Sequence, residues 1–196
     1  MKNLILIRHS KTQQVPDISS HKWTISDEGV DLARQLSEQL AEYKIEMIFS
    51  SHEKKTKETA NIFKERLNLP SVIELDGVEE TRRGEVPYFA DHNEFGARVI
   101  KAMENKSEIL FGDESFENAL NRFIKAIDSI TRQYPNAEYL AVVSHGTVIS
   151  LYLEHLTKIK ARKFWKAMPM PAYYIWNREK MELWPGITAC PVRTFK

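Results

Sequence analysis

The sequence predicts an α/β protein: a three-layer sandwich in which a mainly parallel sheet is flanked by helices, with a small inserted cap. Short apolar runs, typical of strands buried on both faces, alternate along the chain with longer stretches of helical periodicity. This strand–helix alternation favours a sheet that is covered on both sides. The 196 residues correspond to one domain, which buries roughly 70% of the surface that its unfolded chain exposes.

The first half of the chain contains three predicted strands, at residues 4–7, 47–49 and 72–73, which are separated by two predicted helices. Ser26 is placed to cap the first helix, because a serine oxygen accepts hydrogen bonds from the free amides of a first turn. The apolar face of this helix is formed by Val30, Ala33, Leu36 and Leu40. The second helix has the same three- or four-residue spacing at Thr56, Thr59, Ala60, Phe63 and Leu67.

Residues 77–113 do not fit this alternation. The segment is rich in charge, contains Gly84 and Pro87, and has one helical stretch at residues 94–104. We therefore predict that it is inserted over the edge of the sheet, and we refer to residues 77–113 as the cap.

The alternation resumes after the cap. Ser115 begins a helix with a continuous apolar face, residues 139–143 form a second strongly apolar strand, and residues 147–156 form the helix that follows. A closing hairpin is predicted at residues 173–176 and 181–184. Its alternating aromatic residues indicate packing in the core or an edge suited to homodimer contact.

Bulk composition argues against several classes of function. A formal net charge of +1 does not favour broad capture of nucleic acid or of an anionic membrane. Cys190 is the single cysteine, so the chain has no internal disulfide and no cysteine pattern for structural zinc. The apolar run at residues 4–7 is too short for a signal peptide or a membrane span, and we expect a cytoplasmic protein.

Two histidines stand at the ends of the two strongest predicted strands. His9 follows the first strand directly after Arg8, and His145 follows the strand at residues 139–143 and is followed by Gly146. In open α/β sheets, ligands bind outside the carboxyl ends of the strands. We therefore expect the two histidines, although distant in sequence, to meet at one site.

These residue types favour chemistry on phosphate. An arginine offers a planar fork of donors for phosphate oxygens, and a neutral imidazole can attack phosphorus to form a covalent intermediate. A second imidazole, when protonated, stabilises charge on the transferring group. Zinc is the rival ligand for paired histidines, but neither His9 nor His145 belongs to a helical zinc motif, and Arg8 would repel a cation.

A leaving alkoxide needs a proton, so a carboxylic acid should lie near such a pocket. The candidates just beyond the third strand are Glu79, Glu80 and Glu85, and spacing alone does not choose among them. Arg82 and Arg83 follow closely; they are equally suited to an anionic part of a substrate and to simple surface charge.

Several short motifs resemble those of the histidine phosphatase superfamily, also called phosphoglycerate mutase-like. Arg8-His9-Ser10 is similar to its RHG signature, and residues 143–146 (Val-Ser-His-Gly) are similar to its second histidine motif. Three further segments also match and occur in the family's order: residues 49–60, 78–84 and 112–122. Each match is weak alone, but together they cover about residues 4 to 150 and predict a single histidine phosphatase domain, with residues 77–113 as its cap.

The resemblance implies a role for each matching position. His9 would be the phosphorylated nucleophile, Arg8 and His145 would bind the phosphoryl group, and Glu80 would act first as general acid and then as base. Further substrate-binding positions would be Ser10, Thr12, Lys55, Gly146 and Thr147. No metal and no cofactor are implied.

The chain also departs from the family's pattern. Lys55 stands where the family has a second phosphate-binding arginine, and lysine keeps the charge but loses the bidentate fork. Ser10 replaces the glycine of the signature, and His52-Glu53 replaces the usual Pro-Leu.

The leading functional hypothesis is a phosphomonoesterase that hydrolyses small intracellular phosphate esters through a phosphohistidine on His9. The alternatives are a phosphoglycerate-type mutase, a catalytically weakened phosphate-binding or regulatory module, and a phosphatase of protein phosphohistidine. In each case the expected partner is a phosphorylated substrate, with no nucleic acid and no membrane involved. Substrate preference is expected to depend on the cap.

Overall fold

Six β-strands form one mixed sheet within the residues that the computed structural model describes, namely 1–84, 86 and 88–185. The strands are β1 (Asn3–Arg8), β2 (Ile45–Ser50), β3 (Val72–Glu74), β4 (Tyr139–Ser144), β5 (Ala172–Asn177) and β6 (Glu182–Pro185). Their order is β3-β2-β4-β1-β5-β6, with the first three pairings parallel and those of β5 antiparallel. The predicted mainly parallel sheet and closing hairpin are therefore confirmed.

The helices flank this sheet. They are α1 (Asp27–Leu40), α2 (Lys54–Arg66), α3 (His92–Glu104), α4 (Phe116–Gln133), α5 (Gly146–Thr157) and α6 (Ala161–Ala167), together with a short 3₁₀ helix at Ser20–Lys22. Both predicted serine caps are present, because Ser26 Oγ accepts from the Gly29 amide at 3.1 Å and Ser115 Oγ accepts from the Asn118 amide at 3.2 Å. Across the described residues, no helix is both long enough and apolar enough to cross a lipid bilayer.

Each face of the sheet has its own core. Alternate residues of β1 point in opposite directions, so Leu4 and Leu6 pack with α4 and α5, whereas Ile5 and Ile7 pack with α1 and α2. Both sets are fully buried. This double burial explains why β1 and β4 read as continuous apolar runs.

Parallel pairing of β1 with β4 positions the two histidines. The register aligns Arg8 with Ser144, and the His9 amide donates to the Ser144 carbonyl at 2.9 Å. The chain therefore leaves both strands at the same edge of the sheet, and this edge holds the candidate site.

The described part of the cap packs beside the end of α5. Val99 and Met103 of α3 share an apolar cluster with Leu151 of α5 and Ala161 of α6. Two residues of the cap, Glu85 and Pro87, and the lone Cys190 lie outside the described residues.

Candidate active site

His9 and His145 lie side by side. Their ring centroids are 5.2 Å apart with an interplanar angle of 63°, and both side chains are buried. The meeting of the two histidines at the end of β1 and β4 is the arrangement that their positions in the sequence predicted.

The ring of His9 is oriented for attack through Nε2. Its Nδ1 lies 2.8 Å from the Ser10 carbonyl, and because a carbonyl only accepts, Nδ1 must carry the proton. Burial, followed by the nearby His145, Lys55 and Arg8, holds the pKa of His9 well below its usual value. The imidazole is therefore neutral at pH 7, and its Nε2 keeps the lone pair that a nucleophile needs.

The ring of His145 is held by contacts to its Nε2. Its Nε2 lies 2.8 Å from Ser51 Oγ and 3.2 Å from Glu53 Oε1, whereas its Nδ1 is buried with no hydrogen-bond partner among the described residues. Burial lowers the pKa of His145 to about 4, although Glu53 opposes this shift. A bound phosphoryl group would add negative charge beside the ring and raise this pKa.

The guanidinium of Arg8 has one nitrogen that is hydrogen-bonded to the protein and another that has no partner in the described part of the chain. Its Nη1 donates to the Met168 carbonyl, whereas its Nε is buried without a partner in the described structure. Burial lowers the pKa of Arg8 to about 10, so the guanidinium stays charged at neutral pH. Gly146 lets this group approach α5, because a Cβ there would lie only 3.0 Å from Arg8 Cζ and from Arg8 Nε.

From the predicted role of Arg8 as a phosphoryl ligand, we expect substitution of Gly146 by alanine to weaken phosphate binding roughly 10- to 100-fold. The new methyl group would displace the guanidinium, and hydrogen bonds to charged groups contribute about 1.5–3 kcal/mol. Inhibition of turnover by inorganic phosphate measures the effect. Ser150→Ala is a matched control in the same helix, since Ser150 is buried and donates only to the Gly146 carbonyl. Unchanged inhibition by phosphate in Gly146→Ala would show that the position of Arg8 does not depend on the space left by the glycine.

Glu80 is the predicted acid that reaches the cavity. Its Oε1 accepts from the Thr81 amide at 3.0 Å, and its Oε2 lies 3.3 Å from the Thr147 amide and 3.4 Å from Arg83 Nη2. Burial alone would raise the pKa of Glu80, but Arg83 and then His145 hold it below the usual value. The carboxylate is therefore ionised while the site is empty.

Arg122 of α4 holds the loop that carries Glu80. Its guanidinium donates to the carbonyls of Gly77, Glu79 and Glu80 at 2.8–2.9 Å and pairs with Glu114 at 2.6 Å. The Glu79 carboxylate is used within the same loop, where it accepts from the Gly77 amide. Of the described acid candidates, Glu80 is therefore the one that lines the cavity.

Lys55 lies at the cavity but is already paired. Its Nζ donates to Glu53 Oε2 at 2.5 Å and to the Ser20 carbonyl at 2.7 Å, and only 6% of its side chain is exposed. Glu53 also contacts His21 Nδ1 at 3.3 Å. Burial would raise the pKa of Glu53, but His145, then His21 and Lys55, hold it well below its usual value. Glu53 is thus the centre of a buried charge network.

The side chains meet in a cavity of about 270 Å³. Among the described residues, four of its lining side chains have buried polar atoms without a hydrogen-bond partner: Arg8 Nε, Arg83 Nε, His145 Nδ1 and Thr147 Oγ1. Buried polar groups in folded proteins are rarely left unsatisfied. Unpartnered polar atoms on two guanidinium groups, a hydroxyl and an imidazole that gains a proton when negative charge lies beside it therefore indicate a binding site for an anion with several acceptor oxygens.

A second cavity of about 420 Å³ adjoins the first and shares Gln14, Ser20, Trp23, Arg83, His92 and Phe95 with it. Its other lining residues include Tyr88 and Phe89, which with Trp23 and Phe95 give the wall an aromatic part. The Trp23 and Tyr88 rings lie 6.2 Å apart, and the Tyr88 hydroxyl donates to Gln14 Oε1 at 3.2 Å. This cavity has the position and the lining to hold the organic part of a phosphate ester.

The remaining predicted site residues fall into two groups. Thr12 and Thr147 line the smaller cavity. Ser10 does not line it, because its hydroxyl donates to the Gly29 carbonyl at 2.6 Å and its amide donates to Thr59 Oγ1 at 3.0 Å. The Thr147 amide, expected to bind substrate, lies at 3.3 Å from Glu80 instead.

Sequence reasoning missed the contacts of Glu53 and left His21 and His92 without a role. The sequence marks Glu53 only as a departure from the family's pattern. The other residue of that departure, His52, contacts Glu74 and Asp76 outside the cavity. The available signal for this pair was that Glu53 lies two residues before Lys55 along the chain.

The buried histidines predict a loss of stability in mild acid. Unfolded His145 takes up a proton near pH 6.5, whereas folded His145 does so only near pH 4, so the unfolded state binds more protons between these values. The free energy of unfolding is therefore expected to fall by about 2 kcal/mol between pH 8 and pH 5 through His145 alone. The lowered pKa of His9 acts in the same direction.

Urea unfolding at pH 8 and pH 5 gives the change in the free energy of unfolding for the parent and for His145→Gln. The difference between these two changes is the contribution of His145. The comparison is needed because the raised pKa of exposed His52 acts in the opposite direction. An equal pH dependence in both proteins would show that folded His145 protonates normally.

Structural comparison places the fold among known phosphatases. A mycobacterial glucosyl-3-phosphoglycerate phosphatase superposes with a TM-score of 0.72 at 19% identity, covering 89% of both chains. The α-ribazole phosphatase from Shigella flexneri superposes with a TM-score of 0.70 at 19% identity, covering 99% of both chains. At these identities the likeness establishes the fold alone.

Sequence comparison identifies relatives. The uncharacterized phosphatase PhoE of Bacillus subtilis (strain 168) is 26% identical over 160 residues, which are 80% of this chain and 78% of the relative. A metal-independent phosphoserine phosphatase of Arabidopsis thaliana is 27% identical over 160 residues, or 76% of this chain and 67% of the relative. The family model of the histidine phosphatase superfamily (branch 1) matches residues 4–178. With the paired histidines at its centre, the chain belongs to this superfamily.

Proposed function

We propose that the protein hydrolyses small phosphate monoesters, without a metal ion, through a phosphohistidine formed on His9. The observation that supports this most strongly is the set of buried, unpartnered polar atoms on Arg8, His145 and Thr147, which line one cavity together with a neutral His9. Such a set supplies an anion with hydrogen bonds that the empty protein leaves unmade. Membership of a phosphatase superfamily is in agreement with this chemistry.

The first step is transfer of the phosphoryl group to His9. The Nε2 lone pair forms a bond to phosphorus while the bond from phosphorus to the ester oxygen breaks, and the leaving oxygen takes a proton from Glu80. Glu80 is ionised in the empty site, but a phosphoryl dianion beside it raises its pKa and recruits the proton. Arg8 and a protonated His145 stabilise the charge on the transferring oxygens.

The second step is hydrolysis of the phosphohistidine. Glu80, now a carboxylate, removes a proton from water as the water oxygen forms a bond to phosphorus. The bond between phosphorus and Nε2 breaks, His9 regains its lone pair, and inorganic phosphate is released. Glu80 thus acts first as an acid and then as a base. At the end of the cycle Glu80 again carries a proton and His9 is again a neutral imidazole.

The adjoining cavity guides the choice of substrates. Its aromatic residues, among them Trp23, Tyr88 and Phe89, favour esters with a flat or apolar organic group. Aryl phosphates are therefore suitable first substrates, and phosphoserine, the substrate named for the Arabidopsis relative, is a suitable comparison.

Rapid quenching during turnover of a ³²P-labelled aryl phosphate tests the proposal, with EDTA present to remove metal ions. We expect release of inorganic phosphate and a labelled protein whose label is lost in acid, is retained in base and maps to the peptide containing His9. Turnover without such a label, or turnover that EDTA abolishes, would reject the proposed mechanism.

The Lys55–Glu53 pair favours a second candidate function, a phosphate-binding module with little turnover. A lysine that donates to a buried carboxylate is a weaker ligand for phosphate than a free arginine. This candidate predicts that inorganic phosphate binds while rapid quenching detects no labelled His9. The same experiment therefore separates the two functions.

A further inference from the structure

The family position for a second phosphate-binding arginine does not offer a free charge in this chain. Lys55 occupies it, and its Nζ is held by Glu53 Oε2 at 2.5 Å and by the Ser20 carbonyl at 2.7 Å. Both charged side chains are buried, so their mutual attraction is only weakly screened by water. A phosphoryl group would have to compete with Glu53 for this lysine.

A different guanidinium lies at the same cavity. Arg83, three residues after Glu80, lines both cavities and has only 17% of its side chain exposed. Its charge is close enough to affect the pKa values of Arg8, Lys55 and His145. Its placement is therefore that of a group inside the site, although the sequence left surface charge as an equal alternative.

Aromatic side chains fix the direction of Arg83. Its Cζ lies 4.9 Å from the centroid of the Phe95 ring and 5.6 Å from that of Phe111, both of which belong to the cap. A cation–π contact engages the charge of the guanidinium and supplies no lone-pair acceptor for its N–H groups. The aromatic contacts thus hold the charged group at the cavity without using its donors.

The pairing of Arg83 with Glu80 does not satisfy the guanidinium. A single contact joins Arg83 Nη2 and Glu80 Oε2 at 3.4 Å, and Arg83 Nε is buried with no partner in the described structure. A structural ion pair of arginine with a carboxylate is usually shorter and bidentate. The unpartnered Nε and the long contact are the features expected of a group that takes an additional anionic ligand.

We propose that Arg83 binds the phosphoryl group directly and supplies the second guanidinium that Lys55 does not provide. This inference rests on the proposed function, since it assigns a residue to the same phosphoryl site. Binding of phosphoryl oxygens by Arg83 also draws the guanidinium away from Glu80 at the stage when that carboxyl must carry a proton. Arg83 would therefore act on affinity and on the transfer step together.

Orthovanadate and inorganic phosphate are the probes for this site, because both present the oxygens of a phosphoryl group without an organic part. Arg83→Gln is expected to weaken inhibition by orthovanadate on the order of 100-fold and to lower kcat/KM similarly. Arg83→Lys, which keeps the charge but loses the fork, is expected to lie between the parent and Arg83→Gln. Added guanidinium ion is expected to restore part of the activity of Arg83→Ala, an effect that a merely structural role would not give.

Arg82→Gln is the matched control. It removes the same charge one residue away, from an exposed side chain, while the Arg82 amide and carbonyl keep their contacts with Glu114 and Asp113. Its orthovanadate inhibition is expected to change less than about threefold. A double variant, Glu53→Gln with Lys55→Gln, removes the buried pair together and is expected to lose less affinity than Arg83→Gln.

Two results would overturn the inference. The first is that orthovanadate inhibits Arg83→Gln and Arg83→Lys as strongly as it inhibits Arg82→Gln. The second is that the double variant loses as much affinity for orthovanadate as Arg83→Gln does. Thermal unfolding of each variant shows whether the cap remains folded, and Arg83→Lys keeps the test valid where Arg83→Gln unfolds. The proposed function fails separately, if the parent forms no phosphohistidine. In that case a loss of orthovanadate binding in Arg83→Gln, measured by calorimetry, would still support the assignment.

Discussion

Substitution of His9 by asparagine is expected to lower kcat at least about 10⁴-fold and to abolish the acid-labile phosphate label, because the variant has no group that can attack phosphorus. Asparagine is the informative replacement. Its side-chain amide can still donate to the Ser10 carbonyl, which accepts from His9 Nδ1 at 2.8 Å in the parent. The loss then reports the missing Nε2 rather than a disturbed loop.

The binding of orthovanadate should survive in His9→Asn, since Arg8 and His145 remain in place. His155→Asn is the control, because His155 is exposed on α5 and contacts the Tyr152 ring instead of the cavity. Phosphate release by His9→Asn at a rate close to that of the parent would mean that another group, or water directly, attacks phosphorus.

The position of the central residues was predictable from the sequence because it depends on β1 and β4 alone. Two buried parallel strands end at one edge of a sheet, and any residue directly after such strands must lie there. His9 and His145 meet this condition without reference to the rest of the chain. A different pattern, the alternation of residue types along two short neighbouring segments, predicted the closing hairpin, in which β5 pairs antiparallel with β6.

The network around Glu53 could not be predicted in this way. Its partners Lys55, His21 and His145 come from a helix start, a short 3₁₀ turn and a strand end, and no periodicity relates them. Such contacts depend on how loops fold over one another, which local sequence does not determine. Ser10 illustrates the converse: its family position suggested substrate contact, but a buried serine also needs partners, and it finds them in Gly29 and Thr59.

Glu80 was one of three acid candidates by spacing, and tertiary contacts distinguish it. Arg122, far along the chain on α4, donates to the Glu80 carbonyl at 2.8 Å and fixes the loop so that this carboxylate faces the cavity. Glu79 is turned toward the Gly77 amide by the same loop. The choice between neighbouring glutamates therefore depended on a contact between residues 42 positions apart.

Glu80→Gln is expected to separate the two halves of the reaction. Glutamine keeps the shape of the side chain and the hydrogen bond from the Thr81 amide, but it can neither donate a proton to a leaving group nor accept one from water. With an alkyl phosphate, whose leaving oxygen needs the proton, kcat is expected to fall on the order of 10²- to 10⁴-fold.

p-Nitrophenyl phosphate should behave differently, because its leaving group departs as an anion and does not need an acid. The first step then persists in Glu80→Gln while hydrolysis of the phosphohistidine is slowed. We expect a burst of about one equivalent of nitrophenol per site, followed by slow turnover and accumulation of the labelled protein. Stopped-flow absorbance and rapid quenching measure the two events independently.

Glu79→Gln is the matched control for this experiment. Glu79 is adjacent in sequence and equal in charge, but its carboxylate serves the Gly77 amide and Arg122 rather than the cavity. Its variant is expected to show no burst and to lose less than about tenfold in rate, through its effect on the loop. A burst in Glu79→Gln together with normal turnover in Glu80→Gln would move the acid and base role to Glu79, because only the residue that transfers the proton distinguishes alkyl from aryl leaving groups.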